Sequence, residues 1–128
     1  MRRICLLLGF LCVSAVSALA QDAVKADPKH YTVEFENDQM RVLRIRYGPG
    51  EKSVMHSHPA GVFILLTDLN TRFTLAGGKS EEIRGKAGQV LPAEAVNHLP
   101  ENLSDQPFEA ILVELKDKPA KGKEGKKP

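Results

Sequence analysis

The sequence predicts an all-β domain, built as either a sandwich or a barrel. Short runs of strand length, apolar or alternating, recur through residues 31–115, and no stretch there has the 3.6-residue period of a helix. Turn signals containing glycine, proline or asparagine separate these runs at intervals of about 8–12 residues, a spacing typical of sandwiches and barrels. This body is long enough for one modest hydrophobic core, so we expect a single domain.

The first two strands are predicted from alternation. Tyr31–Glu36 and Leu43–Tyr47 place apolar and polar residues in turn, which is typical of strands with one solvated face. Asn37 and Asp38 between them mark a turn. Because Leu43, Ile45 and Tyr47 would face the core, the arginines between them, Arg44 and Arg46, are expected to point outward.

The middle of the body contains the most informative stretch. A Gly48-Pro49-Gly50 turn opens it, and Pro59 closes it. Between these lie His56 and His58. The apolar run 61–67 follows and predicts a central strand buried on both sides.

Turn signals in the sequence delimit the remaining predicted strands. Residues 71–75 predict a strand, Gly77-Gly78 predicts a hairpin, and Glu81–Arg84 reads as a short polar edge strand. Pro92 bends the next segment, and Phe108–Leu115 closes the series. Asn102 is expected to bond backbone groups of a loop through its side-chain amide.

His56 and His58 are the candidate ligands of a metal site. In an extended strand alternate side chains leave the same face, so these two imidazoles would point the same way. A third ligand is needed, and His98 is the one good candidate along the chain. His30 lies in the polar N-terminal approach and is expected to be unrelated to the site.

Both ends of the chain are expected to lie outside the fold. Residues 1–20 have a basic start, an interrupted apolar run and an Ala18-Leu19-Ala20 site, the layout of a secretory signal peptide; an uncleaved anchor is the alternative. We therefore expect an exported protein, periplasmic or extracellular, without stable membrane insertion after cleavage. Cys5 and Cys12 both lie in this segment, so no thiolate would ligate a metal in the mature chain.

Residues 21–30 are expected to form an N-terminal linker, and residues 116–128 a disordered lysine-rich tail. Acidic residues outnumber basic ones in residues 21–115, whereas lysines dominate the tail. The tail would either solubilise the protein or tether it weakly to an anionic surface. Scattered basic residues and few aromatic ones give no indication of nucleic-acid binding.

The residues of two motifs resemble those of the cupin superfamily. Gly50 followed by His56 and His58 matches the first motif, and Gly88, Pro92, His98 and Asn102 match the second, with His98 one residue later than usual. The similarity covers residues 31–115 and implies a small single-domain double-stranded β-helix, or jelly-roll barrel, with a RmlC-like fold. It also implies that a homodimer is plausible.

The resemblance implies a metal site with one departure from the usual pattern. A glutamate normally follows the second histidine of the first motif, but Val62 and Phe63 occupy those positions here. The implied ligand set is therefore His56, His58 and His98, for Fe, Zn, Ni, Mn or Cu. A three-histidine set is similar to that of thiol dioxygenases, although their Ser-His-Tyr relay has no visible counterpart. Glu101 is the weak candidate for a general base or fourth ligand.

Three functions remain open at this point. The protein could be a metal-dependent enzyme acting on a small molecule, either an oxidoreductase or a cupin of the lyase or isomerase type. It could instead be a non-catalytic module that binds a metal or a small ligand, or a barrel without a site that serves protein association. Val54, Phe63, Leu65, Phe73 and Leu91 are candidate pocket walls, and an inward arginine among Arg44, Arg46 and Arg72 would favour an anionic ligand.

Overall fold

The computed structural model describes residues 21–117. The predicted signal peptide at residues 1–20 lies outside these residues, as does nearly all of the predicted tail. The described part holds ten strands and one short helix: β1 (Gln21–Asp22), α1 (Ala23–Ala26), β2 (Tyr31–Glu36), β3 (Met40–Tyr47), β4 (His56–His58), β5 (Gly61–Leu65), β6 (Leu69–Leu75), β7 (Ser80–Gly85), β8 (Val90–Ala93), β9 (Val96–Asn102) and β10 (Phe108–Leu115). Residues 21–117 contain no helix that is long and apolar enough to cross a membrane.

The strands form two five-stranded sheets. One has the order β1-β4-β9-β6-β7 and the other the order β2-β3-β10-β5-β8. Every pairing is antiparallel except that of β1 with β4. The all-β prediction is confirmed, and the two layers are those of a jelly roll.

The core lies between the sheets and follows the predicted alternation. Leu43, Ile45 and Tyr47 of β3 are buried, and Arg44 and Arg46 on the same strand point outward to pair with Glu109. Strand β10 lies beside β3 and buries alternate residues in the same way. The inward residues of β10 are Phe108, Ala110, Leu112 and Glu114.

Strand β5 differs in part from its prediction. It lies between β10 and β8, as expected for an internal strand, but only Leu65 is fully buried. Val62 and Ile64 are half-buried because they lie on the outer face of the sheet. An apolar run predicts an internal strand, but it does not say whether a further layer covers the second face.

The β6–β7 hairpin agrees with the sequence. Gly77 and Gly78 form the turn with φ of +98° and +92°, values that favour glycine over residues with a side chain. Strand β7 lies at the edge of its sheet, as predicted for the polar segment Glu81–Arg84.

Residues 21–30 do not form the expected linker. Gln21 and Asp22 pair with β4, and Asp22 caps the following helix by accepting a hydrogen bond from the Val24 amide. Ala23 is fully buried and His30 is 5% exposed. The prediction failed because a two-residue strand and a one-turn helix are too short to produce a periodic pattern.

Candidate metal centre

His56 and His58 reach the interior because β4 is extended. Both rings leave the inner face, and their Nε2 atoms lie 3.0 Å apart. Strand β4 pairs with β9 in a register that sets His56 directly opposite His98. Two neighbouring strands therefore bring the three histidines together.

The three imidazoles form one compact cluster. Their candidate ligand atoms all lie within 4.8 Å of one another, and all three residues are buried. The ring centroid of His98 lies 5.0 Å from that of His56 and 5.4 Å from that of His58. The prediction that these residues converge is confirmed, and the spacing suits three donors around one ion.

The outer nitrogens of the paired histidines are fixed by hydrogen bonds. Nδ1 of His56 donates to the carbonyl oxygen of Val54 at 2.8 Å. Nδ1 of His58 donates to the carboxylate of Glu114 at 2.7 Å. In neutral rings these bonds leave both Nε2 atoms as acceptors, so two lone pairs face each other. A positive charge between them, either a proton or a metal ion, is required to make that contact favourable.

Glu114 is the site residue that the sequence reasoning missed. Its carboxylate is 2% exposed and also accepts a hydrogen bond from Nε of Arg41 at 2.7 Å. Arg41 in turn pairs with Asp22. A signal was present in the sequence, because alternation along the apolar strand Phe108–Leu115 places Glu114 on the same inward face as Leu112.

His98 has no hydrogen-bond partner among the described residues at either ring nitrogen. It is 5% exposed, so water does not readily replace a partner. A buried polar group without a partner costs about 1–3 kcal/mol. A metal ion at the cluster would satisfy one of these nitrogens, so the residues present fit a bound metal.

Burial keeps two of the three rings neutral. Desolvation and the charge of neighbouring His58 lower the pKa of His56 to about 4. Desolvation and the charges of His58 and His56 lower the pKa of His98 to about 3. At neutral pH both rings are therefore unprotonated, which is the form that binds metal ions.

Glu101, the weak catalytic candidate, does not join the cluster. It follows His98 by three residues on β9, so the strand alternation turns it to the other side, where it accepts a hydrogen bond from Arg72 at 3.4 Å. Asn102 behaves as predicted. Its amide donates to the carbonyl oxygens of Gly48 and Gln106 and is buried.

His30 also lies outside the cluster, but it is connected to it. Its two ring nitrogens contact the carboxylates of Asp27 at 2.6 Å and Glu51 at 2.9 Å, and its ring stacks on Tyr47. The hydroxyl of Ser53 donates to Asp27 at 2.5 Å and lies 3.3 Å from Nδ1 of His56. His30 thus stabilises the approach to β4, which the sequence did not reveal.

A cavity of about 300 Å³ opens beside the cluster, lined by His58 and His98 together with mostly apolar side chains. Of the predicted walls, Phe63, Phe73 and Leu91 line it. Leu65 is buried in the core instead, and Val54 is 51% exposed. Arg44, Arg46 and Arg72 do not line the cavity, so none of them supplies the inward arginine that would favour an anionic ligand there.

Solved structures with the same architecture include several cupins. A cupin domain from Bordetella pertussis Tohama I is 26% identical, with 68% of this chain and 92% of that chain covered at a TM-score of 0.62. A RmlC-like cupin family protein from Methanocaldococcus jannaschii with a double-stranded β-helix fold is 18% identical, with 70% and 83% covered at 0.52. No protein-family model and no curated protein matches the chain.

The similar structures also include an enzyme. The DMSP lyase DddQ from Ruegeria pomeroyi is 16% identical, with 71% of this chain covered at a TM-score of 0.51. The match spans 49% of the lyase, about half of its length. At this identity the match supports the architecture alone.

Proposed function

Because this chain belongs to the cupin superfamily, we propose that it binds a divalent transition metal through His56, His58 and His98. One observation carries the proposal. The Nε2 atoms of His56 and His58 face each other at 3.0 Å while their Nδ1 atoms are engaged elsewhere, and the unpartnered ring of His98 faces the same point. A proton could bridge the pair, but the lowered pKa of His56 disfavours it at neutral pH.

The donor set limits the metal to a class. Imidazole nitrogens suit Fe, Zn, Ni, Mn or Cu, and affinity alone would favour Cu or Zn. When bound, such an ion supplies a Lewis acid that attracts an anionic donor or lowers the pKa of a bound water. Glu114 takes part by holding His58 in the tautomer that presents Nε2, which orients the ring toward the ion.

We further propose that the site acts on a small molecule, as a metal-dependent oxidoreductase. The cavity beside His58 and His98 supports this function, because a substrate there would lie next to the ion. A non-catalytic binding module is the second candidate. It is favoured by the position of Glu101, which leaves no carboxylate of β9 beside His98 to act as an acid or base.

Elemental analysis of the purified protein tests the metal proposal. We expect about one equivalent of a transition metal in the wild-type protein and its loss in His56→Ala, His58→Ala and His98→Ala. His30→Gln is the matched control, because His30 is equally buried but lies outside the cluster. A wild-type protein that takes up no Fe, Zn, Ni, Mn or Cu would remove the proposal.

Catalysis and binding can then be separated. An enzyme should turn over a small molecule in an oxygen-uptake screen when loaded with metal, and His98→Ala should abolish this. A binding module should hold metal and ligand without turnover. The export proposal is supported by the pattern of residues 1–20 and is tested by N-terminal sequencing, which should begin near Gln21.

A further inference from the structure

The hairpin of β6 and β7 brings a carboxylate to the cavity. Inward residues of β6 line the cavity wall with apolar side chains, among them Leu69 and Phe73. On β7 the inward residues are Glu81 and Ile83, and the register sets Glu81 directly opposite Phe73. Glu81 therefore interrupts an apolar surface at a position where alternation would favour another apolar residue.

Thr71 provides a second polar group on the same wall. It is fully buried and lines the cavity between Leu69 and Phe73. Its Oγ1 atom has no hydrogen-bond partner among the described residues. A buried hydroxyl is normally paired, so this one is available to a molecule in the cavity.

The charge of the lining is negative. Glu81 and Glu94 are the acidic groups that line the cavity, and within the described chain no lysine or arginine does so. Lys79 lies 3.9 Å from Glu81, and both side chains reach solvent, at 79% and 50% exposure, so the lysine screens the carboxylate only weakly.

The apolar part of the wall suits an organic cation. Phe63 and Phe73 line the cavity, and the register places Phe73 beside Glu81. Aromatic faces attract ammonium groups, and a nearby carboxylate adds to that attraction. In the metal-free protein a carboxylate ligand would instead meet Glu81 and Glu94, with no lysine or arginine of the lining to compensate its charge.

We propose that this cavity binds a small organic cation, an alkylamine or alkylammonium with an apolar body, whose charge faces Glu81 and whose polar atom pairs with Thr71. The proposal rests on the proposed function in one respect, since the metal would lie beside the same cavity at His58 and His98. The apolar lining accommodates the body of the ligand, and the two polar groups of the hairpin select its charge.

Three probes of matched size test the charge preference: n-butylammonium, 1-butanol and butyrate. They are titrated into the chelator-treated protein at pH 7 and followed by amide chemical shifts in two-dimensional NMR. We expect n-butylammonium to bind most tightly and butyrate least. Repeating the titrations on zinc-loaded protein shows whether a metal changes this order.

Substitutions show which residues cause the preference for a cation. Glu81→Gln should weaken n-butylammonium about fivefold or more while leaving 1-butanol unchanged, because only the charge is removed. Glu82→Gln, on the outward face of the same strand, is the matched control and should change neither. Thr71→Val keeps the shape of the side chain and should weaken both n-butylammonium and 1-butanol.

The outcomes separate this proposal from the metal proposal. Butyrate binding as tightly as n-butylammonium to the chelated protein, equal effects of Glu81→Gln and Glu82→Gln, or no saturable shift with any probe would each overturn it. The metal content of the purified protein tests the proposed function separately. A protein that takes up no transition metal but still prefers n-butylammonium would contradict the proposed function and leave the cation site in place.

Discussion

The Nδ1 atom of His58 donates to a carboxylate oxygen of Glu114 across 2.7 Å, and both side chains are almost fully buried. Glu114 lies on β10, opposite Gly61 of β5. Gly61 follows His58 by three residues along the chain. A side chain at Gly61 would collide with the carbonyl oxygen of Val113, at 1.9 Å from a Cβ atom. Close approach of the two strands thus brings a carboxylate to the region where Val62 and Phe63 replace the glutamate of the usual motif.

Glu114→Gln should weaken metal binding without removing the three ligands. Loss of the carboxylate frees the tautomer and the orientation of the His58 ring, and such changes cost about 10–100-fold in affinity. The affinity is measured by competition with a chromophoric chelator. Glu109→Gln is the control, because Glu109 lies on the same strand but faces outward to Arg44. Equal affinity in both variants would contradict the role of Glu114.

His98→Leu should stabilise the metal-free protein while abolishing metal binding. The wild-type ring keeps two buried nitrogens without partners in the described structure, at a cost of about 1–3 kcal/mol. Leucine fills a similar volume and removes that cost. Urea unfolding in the presence of a chelator measures the change.

The unfolding midpoints of the wild-type protein and of His98→Leu must also be compared with metal added. Added Zn²⁺ should raise the unfolding midpoint of the wild-type protein and leave that of His98→Leu unchanged, since a bound ligand stabilises only a state that binds it. A His98→Leu protein that is less stable than the chelated wild type would show that the ring has a partner in solution.

The three ligands could be predicted from the sequence because their positions depend on local rules. His56 and His58 share a face by strand alternation alone, and His98 lies in a second motif with recognisable spacing. The outward direction of Arg44 and Arg46 and the edge position of β7 followed in the same way.

Other features depend on which strands meet, and sequence patterns do not encode that. Glu114 belongs to the site only because β10 lies beside β5. Glu101, by contrast, could have been set aside from the sequence, because it follows His98 by three residues on one strand and alternation turns it away to Arg72. Asp22 was predicted neither as part of the fold nor as part of the site, because its role depends on Arg41 reaching it from β3.

Deletion of residues 21–30 should lower the unfolding free energy by about 2 kcal/mol or more. The deletion removes the buried Ala23, the carboxylate of Asp27 that pairs with Ser53, and the ring of His30 that pairs with Glu51, and hydrogen bonds to charged groups contribute about 1.5–3 kcal/mol each. Chemical denaturation measures the loss. Lys25→Ala, an exposed change within the same segment, should have little effect. An unchanged midpoint would restore the linker interpretation.

The metal-free protein should lose stability as the pH falls from about 6.5 to about 4. Burial lowers the pKa of His56 to about 4 and that of His98 to about 3, whereas both would titrate near 6.5 in the unfolded chain. Between these values the unfolded state binds more protons than the folded state, so the free energy of unfolding rises with pH by about 1.4 kcal/mol per pH unit for each proton. The contribution is fully present above pH 6.5.

Unfolding curves in urea at several pH values, recorded with a chelator present, measure this slope. His98→Leu should show a shallower slope by one proton, because one of the two buried rings has been removed. The same slope in both proteins would mean that His98 protonates freely in the folded state. That result would also weaken the metal centre, since a ring that accepts protons so readily cannot be as buried as the 5% exposure of His98 indicates.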